Sequence, residues 1–362
     1  MQLASLALAF AAIVVVGLAL FTLGWTRAVE TRFPPRGDLV AIEDGMIHVV
    51  ERAAQGVERG AILLIHGASG NHADVLNVLG DPLAARGFRV LAIDRPGAGW
   101  SARFFGRTAS SPEMQAVLIR AALAQKGVTS ALVVGHSLGG VIALALALNA
   151  PEFVRGLALL STVSHPWPGG IALYYTLAAN RWIGALFRRL LVAPVGLQML
   201  PGAVASVFAP NPTPDAYIEA TALPLVLRPA HYKANAEDVV DLKRHVAAQC
   251  ARYGEIQTPT GVITGDRDKI VYAHIHSAGC ARDINGAVLT ILPGIGHSPH
   301  YSATDAVVAA ILDVAERVEA GEGLAAEDKA ALASKDEIRN DGETRSGFPN
   351  APLEQPRIAR LS

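Results

Sequence analysis

A serine between two glycines is the first group in this chain that could attack a substrate. Ser137 is the centre of Gly135-His136-Ser137-Leu138-Gly139, which follows an apolar strand predicted over 131–134 and opens an apolar helix predicted over 138–149. Glycines on both sides let strand and helix approach closely through a strained turn, and this turn lifts the hydroxyl clear of the sheet. The pattern predicts a nucleophilic serine at a helix N-terminus, where developing negative charge is stabilised.

A serine hydroxyl is a poor nucleophile without a base in hydrogen-bond reach and an acid that orients this base. Of the 11 histidines, the best base is His297, which follows a strand predicted over 287–292 through the flexible turn Pro293-Gly294-Ile295-Gly296. His300 is its local competitor but lacks the Gly-His context.

Two carboxylates are candidates for the acid. Asp266 and Asp268 both lie just past a strand predicted over 260–264, in a loop that could present either one to His297. The residues alone leave this choice open.

These groups must be positioned by the elements around them, and short apolar strands alternating with helical segments predict a mostly parallel sheet covered on both faces. The alternation runs over 39–160 and resumes over 235–319, so we interpret 161–234 as an insertion into one α/β domain. Further strands are predicted over 39–42, 46–51, 61–65, 88–93 and 156–160, and further helices over 73–86, 112–126, 236–253, 274–281 and 304–319.

Four motifs in order make the chain resemble the α/β-hydrolase superfamily from about residue 39 to residue 319. They are His66-Gly67, the turn Asp94-Arg95-Pro96-Gly97-Ala98-Gly99-Trp100-Ser101, the serine motif, and the pair Gly265-Asp266-Arg267-Asp268 and Gly296-His297. The resemblance implies the α/β-hydrolase fold, with a helical cap over 161–234, and the chain order Ser, acid, His.

The resemblance also assigns roles. The family spacing G-x-x-D-x-x-V fits Gly265, Asp268 and Val271, which favours the triad Ser137, Asp268 and His297 and leaves Asp266 as a turn-former. The backbone N–H groups of Ala68 and Leu138 are expected to form the oxyanion hole. The residues expected at the substrate site are His66, Gly67, His136 and Trp167.

The insertion is rich in aromatic residues and carries one amphipathic segment. Its apolar face on a helical wheel is Trp182, Ile183, Leu186, Phe187 and Leu190, and its basic face is Arg181, Arg188 and Arg189. We expect the apolar face to pack onto the core, and the alternative is a membrane surface. In either case the pocket is surrounded by apolar surface, so an uncharged acyl ester or lipid-like substrate is expected.

The N-terminal segment 1–26 contains no charged side chain, and its apolar run from Leu3 to Trp25 is long enough to cross a hydrocarbon core of about 30 Å. It predicts a single-pass anchor, followed by a linker over 27–38. Arg27, Arg32 and Arg36 favour the cytoplasm for the catalytic domain. A cleaved signal peptide and a buried core helix are the alternatives.

Composition limits the partners. The balance of 31 basic and 32 acidic residues gives no electrostatic footprint for nucleic acid. Cys250 and Cys280 are too few for a disulfide framework or metal cluster, although one bridge between them stays open. No metal or cofactor is expected, the oligomeric state is not predicted, and the Glu/Lys/Asp-rich segment 320–362 is predicted to be a mobile tail.

The sequence therefore predicts a membrane-anchored serine hydrolase that cleaves a carboxylic ester or thioester of an apolar acyl substrate through an acyl-enzyme. An acyltransferase, a C–C hydrolase and a perhydrolase use the same triad and remain alternatives. A non-catalytic anchored binding domain is a further alternative, which an intact Ser137, Asp268 and His297 disfavours.

Overall fold

A computed structural model of the chain describes residues 2–42 and 45–321. The tail predicted over 320–362 therefore lies, except for its first two residues, outside the described residues.

The described residues form one sheet of eight strands in the order β1-β2-β4-β3-β5-β6-β7-β8. The first two strands pair antiparallel with each other and β2 pairs antiparallel with β4, whereas all later neighbours are parallel. The predicted mostly parallel sheet is therefore confirmed. The strands are β1 Asp38–Ile42, β2 Gly45–Arg52, β3 Gly60–Ile65, β4 Phe88–Ile93, β5 Ala131–His136, β6 Val154–Leu160, β7 Thr260–Gly265 and β8 Val288–Leu292.

Helices cover both faces of the sheet and also build the cap. They are α1 Gln2–Arg32, α2 His72–Ala84, α3 Pro112–Gln125, α4 Leu138–Asn149, α5 Leu173–Ala179, α6 Gly184–Phe187, α7 Ala193–Phe208, α8 Tyr217–Ala220, α9 Pro229–Gln249, α10 Ser277–Asp283, α11 Pro299–Ser302 and α12 Thr304–Glu319. Short 3₁₀ helices lie at Gly106–Ser110, Leu223–Leu227 and Cys250–Glu255, and a π-helical turn at Arg188–Val192 joins α6 to α7.

The hydrophobic core has two parts, one on each face of the sheet. Side chains of α3 and α4 pack with β3, β5 and β6 on one face, and those of α2 and α12 pack on the other. Helix α4 is buried from Leu138 through Ala147, because it lies under the sheet's central strands and carries no charged side chain. This rigid support fixes the turn that begins it.

The N-terminal helix is longer than the predicted anchor. Helix α1 continues through Arg32, so the linker predicted from residue 27 is wrong over its first six positions. Residues 27–32 favour helix, and the first residues that oppose it are Pro34 and Pro35. The helix has a mean hydropathy of 2.8 in its most apolar window, of which 6% is buried. By length and composition it could cross a membrane as an anchor or act as a signal sequence.

The cap differs from the sequence prediction in one important respect. Three of the five residues of its predicted apolar face are exposed: Trp182 is 76%, Ile183 52% and Leu186 59% accessible. Phe187 packs against two small buried clusters and Leu190 is half-buried, so the expectation that this face packs onto the core is wrong for the three exposed residues. The segment is not one regular helix, and the side that packs inward carries Gly184, Val192 and Ala193 instead.

Two smaller points, the start of α9 and the state of the two cysteines, also differ from or add to the sequence prediction. Helix α9 begins at Pro229 rather than near residue 236, because proline is well suited to a first helical turn and Arg228 before it is extended. Cys250 and Cys280 are both free thiols, so the bridge left open between them is not formed. Cys280 is buried, and burial raises the pKa of its thiol to about 12.

Candidate active site

The turn that carries Ser137 is sharply strained. Ser137 has φ 52° and ψ −118°, a backbone conformation that residues other than glycine rarely adopt. Its N–H donates a hydrogen bond of 2.9 Å to the carbonyl oxygen of Leu160. The close approach needs a glycine: a Cβ at Gly139 would lie 2.2 Å from the carbonyl oxygen of Ile65. The hydroxyl is therefore held at the end of β5, above the N-terminus of α4.

The structure brings Ser137, His297 and Asp268 together in one hydrogen-bonded row. The Nε2 atom of His297 lies 3.0 Å from the Ser137 Oγ, and its Nδ1 lies 2.8 Å from Asp268 Oδ2. With the proton on Nδ1 donated to the carboxylate, Nε2 is free to accept the serine proton. The loops after β5, β7 and β8 supply the three groups, so all three lie at the carboxyl ends of the parallel strands.

Asp268 is held in place by backbone as well as by the imidazole. Its Oδ1 accepts hydrogen bonds from the N–H groups of Ile270 and Val271, at 2.8 and 2.9 Å. Burial acts to raise the pKa of Asp268, but the hydrogen bonds from His297 and these two amides outweigh it and hold the pKa below its ordinary value. The carboxylate therefore stays ionised and can orient a histidine.

The other acid candidate lies elsewhere. Asp266 accepts a hydrogen bond of 2.7 Å from the N–H of Gly294, in the turn that leads to His297, and its side chain is 40% exposed. It therefore fixes the shape of the loop that carries the histidine, without touching the ring.

The Gly67–Ala68 peptide group beside Ser137 is oriented by hydrogen bonds to its carbonyl oxygen. The carbonyl oxygen of Gly67 accepts from His66 Nδ1 at 2.8 Å and from the Arg95 guanidinium at 3.3 Å. In a trans peptide the N–H points opposite to the carbonyl, so these bonds direct the Ala68 N–H away from Arg95. A Cβ at Gly67 would lie 3.1 Å from Ser137 Cβ, which places this peptide against the serine.

Neither of the two N–H groups expected in the oxyanion hole, those of Ala68 and Leu138, donates a backbone hydrogen bond outside the regular helices and strands of the described residues. The next amide, that of Ser69, is already bound to Asn235 Oδ1 at 2.7 Å.

His66 supports the loop instead of offering a nitrogen to substrate. It is fully buried, and its Nε2 accepts from the N–H of Arg95 at 3.1 Å while Nδ1 binds the Gly67 carbonyl. Burial, reinforced by the nearby Arg95 charge, lowers the pKa of His66 to about 3. Both nitrogens are thus occupied in the neutral ring, and its predicted place among the substrate-contacting residues gives way to a positioning role.

The remaining residues expected at the substrate site are spread out. Gly67 lies against Ser137, as described above. His136 is buried and its Nε2 donates to the carbonyl oxygen of His297 at 3.0 Å. Trp167 is half-buried, with its ring 6.0 Å from that of His276 and 5.7 Å from Lys243 Nζ. A substrate contact by His136 or Trp167 remains a prediction.

Two groups of histidine and aspartate side chains have the spacing of metal ligands within the described residues. In the first, Asp94 accepts hydrogen bonds from His48 and His72, at 2.8 and 2.9 Å, so the group already satisfies itself. In the second, Asp74 Oδ2 lies 3.7 Å from His136 Nδ1 and 3.6 Å from His300 Nε2. His300 is thus a neighbour of Asp74 and not a second base for Ser137.

Sequence reasoning missed two asparagines that join the cap to the catalytic loops. Asn211 accepts from the N–H of Gly296 at 2.8 Å and donates to the carbonyl oxygen of Gly294 at 3.1 Å. Asn235 binds both the amide and the hydroxyl of Ser69. Their position in the chain gave no signal, because each is a lone polar residue far from the motif that it supports.

A buried ion pair was missed as well. Arg95 Nη1 lies 2.6 Å from Asp238 Oδ2, and both side chains are almost completely inaccessible. Arg95 belongs to a motif that the sequence singled out, but its partner stands on α9, 143 positions later. The pair ties the loop behind the Gly67 peptide to the helix that follows the cap.

The cap nearly closes the site. Ser137, Asp268 and His297 are 7%, 6% and 5% accessible. Tyr175 of the cap reaches Ser69, with the two hydroxyl oxygens 3.3 Å apart, and Phe208 stacks edge-on against Tyr301 beside the histidine loop.

Comparison with known proteins gives matches over most of this α/β domain. Residues 60–189 match the family model described as the alpha/beta hydrolase fold. The chain is 25% identical over 239 residues to a 2-hydroxy-6-oxononadienedioate/2-hydroxy-6-oxononatrienedioate hydrolase of Klebsiella pneumoniae, covering 66% of this chain and 80% of that protein.

Two further matches support less, because one covers a small part of both chains and the other is a similarity of fold at low sequence identity. A dihydrolipoyllysine-residue acetyltransferase component of the acetoin cleaving system of Cupriavidus necator is 38% identical over 115 residues, which is 32% of this chain and only 29% of that protein. The enol-lactonase from Burkholderia xenovorans LB400 superimposes with a TM-score of 0.59 at 18% identity, covering 76% of this chain and 98% of that one. The second similarity is one of fold.

Proposed function

Because the chain belongs to the α/β-hydrolase superfamily, we propose that it is a serine hydrolase that cleaves a carboxylic ester of an apolar acyl substrate. The observation that carries this proposal is the row formed by Ser137, His297 and Asp268, with separations of 3.0 and 2.8 Å. It is the arrangement that activates a serine hydroxyl for acyl transfer.

In the first half of the proposed reaction, the Ser137 Oγ attacks the ester carbonyl carbon while His297 Nε2 takes the hydroxyl proton. Negative charge then develops on the former carbonyl oxygen, and in this proposal the N–H groups of Ala68 and Leu138 stabilise it. Collapse of this intermediate breaks the ester C–O bond, and the imidazolium gives its proton to the departing alcohol. Asp268 holds the ring in the required tautomer and stabilises its positive charge.

In the second half, water attacks the acyl-enzyme. His297 accepts one proton from this water, and a second oxyanion forms in the same hole. Collapse releases the carboxylic acid and returns the proton to Ser137. An alcohol or thiol that replaced the water would make the same chain an acyltransferase, so exclusion of water by the cap bears directly on that alternative.

An apolar acyl group is supported by the surroundings of the site. Two aromatic cap residues lie beside the catalytic loops: Tyr175 beside Ser69, and Phe208 beside Tyr301. The catalytic groups are nearly inaccessible to solvent, so a substrate must lose its hydration on entry. The free-energy cost of this desolvation is lowest for an uncharged substrate.

A C–C hydrolase is the second candidate, favoured by the match to 80% of the Klebsiella pneumoniae hydrolase. The substrate named for that protein is a dioate, which carries two carboxylates. A matching site here would need cations, and the buried Arg95 near the catalytic loops is already paired with Asp238. This pairing favours the ester over the dioate.

A fluorophosphonate probe followed by p-nitrophenyl esters of increasing chain length tests the proposal. We expect covalent labelling of Ser137 and turnover of the esters, and both should be lost in Ser137→Ala. Ser206→Ala, on an exposed face of the cap, is the matched control and should keep both. Labelling of another serine, or turnover of 2-hydroxy-6-oxononadienedioate without any ester turnover, would contradict the proposal.

We also propose that α1 anchors the protein in a membrane, with the catalytic domain on the cytoplasmic side. Its apolar run, its accessibility and the arginines that follow it support this placement. Protease protection of the α/β domain in intact cells, lost on lysis, is the expected result. Release of a processed protein would identify a signal peptide instead.

A further inference from the structure

A cavity of about 740 Å³ lies between α1 and the α/β domain, away from the catalytic serine. One wall is the C-terminal half of α1, from Ala19 to Glu30, and the opposite wall is the loop 97–102 with the start of α9. Ser137, Asp268 and His297 do not line it. Its volume is within the range of about 300–1,000 Å³ that is usual for small-molecule sites.

Three residues that line this mostly apolar cavity carry buried polar atoms without partners. Thr22 Oγ1, Thr26 Oγ1 and His231 Nε2 lie within its walls, and none has a hydrogen-bond partner among the described residues. Thr22 and His231 are each 3% accessible. A threonine in a helix commonly binds the carbonyl four residues earlier, as Thr31 does with Arg27 at 2.9 Å. The two cavity threonines do not, so their buried hydroxyls are left unsatisfied.

The charges of the cavity are arranged unevenly. Glu30 is neutralised by Arg228, 3.0 Å away, and the Arg228 guanidinium also lies over the ring of Trp100. Arg189, on the cap side, is exposed and belongs to none of the ion pairs between the described residues. Among the described residues, one cation without an ion-pair partner therefore stands at an apolar cavity whose walls contain unsatisfied hydroxyls.

We propose that this cavity binds a phospholipid of the surrounding bilayer, with acyl chain inside and phosphate on Arg189. The inference rests on the membrane placement of α1 proposed above. The apolar run of α1 ends near Trp25, so the wall from Ala19 to Glu30 lies where acyl chains meet headgroups. The ligand class follows from the walls: an apolar chain for the apolar lining, and an anion for the Arg189 guanidinium.

This lipid is distinct from the substrate of the proposed reaction. It would join anchor, cap and α/β domain through one shared ligand, since Thr22 belongs to α1, Arg189 to the cap and Trp100 to the domain.

Photocrosslinking of the full chain in vesicles tests the proposal. The vesicles contain phosphatidylethanolamine and phosphatidylglycerol, with a trace of phosphatidylglycerol that carries a diazirine on one acyl chain. Any membrane-spanning helix would be labelled, so the informative peptides are 97–102 of the α/β domain and 228–231 at the start of α9. We expect both to be labelled. Absence of label from both peptides would overturn the proposal. So would a result in which a diazirine fatty acid labels them and the diazirine phospholipid does not.

Two variants with matched controls sharpen the result. Ala19→Trp fills the cavity from α1 and should abolish labelling of 97–102, whereas Ala11→Trp, on the same helix but outside the cavity, should not. Arg189→Gln should weaken competition by unlabelled phosphatidylglycerol about fivefold, and Arg181→Gln should leave it unchanged. Equal effects within either pair would overturn the proposal. Fluorophosphonate labelling of Ser137, measured in parallel on every variant, reports separately on the proposed hydrolase activity.

Discussion

The imidazole of His66 donates a hydrogen bond of 2.8 Å to the carbonyl oxygen of Gly67. Only a neutral ring can do this while accepting from the N–H of Arg95, and burial keeps the ring neutral. Because the peptide is planar, fixing this carbonyl fixes the direction of the Ala68 N–H. A histidine that touches no substrate thus sets the geometry of a proposed oxyanion donor.

The first prediction concerns this peptide. His66→Phe should lower kcat, by up to the 10²–10³-fold that is typical for loss of one oxyanion donor, and should leave KM nearly unchanged. His66→Asn can still donate to the Gly67 carbonyl, so it should recover part of the rate. Steady-state kinetics on a short-chain ester provide the measurement. An unchanged kcat in His66→Phe would show that the peptide needs no such support.

The two acid candidates should respond very differently to substitution. Asp268→Asn removes the acceptor that holds His297 in its tautomer, and we expect a loss of about 10⁴-fold in kcat. Asp266→Asn affects only the bond to the Gly294 amide and should cost far less. The measurement is turnover of one ester by both variants, with their thermal stabilities as a control. The reverse order would reassign the acid.

The cap asparagines offer a third prediction. Asn235→Ala removes two bonds to Ser69, next to the proposed oxyanion donor, and should lower kcat while leaving the chain folded. Asn77→Ala, which removes one exposed bond to the carbonyl oxygen of Ala220, is the control and should have little effect. If both variants behave alike, the Ser69 loop does not depend on the cap.

Acid should destabilise the protein through its buried histidines. The pKa of His66 falls from an ordinary 6.5 to about 3, so the unfolded chain binds the proton more readily than the folded one between these values. The contribution of His66 to the free energy of unfolding is therefore complete above about pH 6.5 and is lost as the pH falls towards 3, with a slope of at most about 1.4 kcal/mol per pH unit.

The melting temperature in detergent at about pH 7 and about pH 5 measures this effect. His66→Asn removes the titrating group, so its melting temperature should fall less between the two pH values than that of the wild type. An equal fall in both proteins would assign the acid sensitivity to other groups.

Removal of residues 2–26 should release the protein from membranes without abolishing fluorophosphonate labelling. Three polar contacts near the end of α1 lie beyond this segment and would remain, namely Glu30 with Arg228, Arg32 with Glu219, and the Phe33 carbonyl with Trp100. Fractionation after high-salt and carbonate washes, together with probe labelling, gives the readout. A soluble but unlabelled protein would show that α1 supports the catalytic site.

The sequence was most informative where function depends on neighbours in the chain. Helix α4 begins at Leu138 and ends at Asn149, as predicted, because an apolar run opened by a glycine-flanked serine leaves few alternatives. The approach of Ser137, Asp268 and His297 could be anticipated from three strand ends of a parallel sheet. That the loops should meet at one edge follows from topology alone.

The cap was predicted less well, for a physical reason. Periodicity shows which residues of a segment share a face, but it does not show whether that face meets protein, lipid or water. Trp182 and Leu186 share a face as predicted, yet both are exposed. Long-range pairs such as Arg95 with Asp238 were likewise hidden, because nothing local to either residue identifies its partner.

The two cap asparagines also bear on how such proteins diversify. Asn211 binds the turn before His297, and Asn235, at the other end of the cap, binds the loop beside Ala68. A chimera that received a foreign cap without these amides would gain a new substrate surface and lose two supports of its catalytic loops. Recombination should therefore succeed most often when the exchanged segment extends past residue 235 and carries both asparagines as one inherited unit.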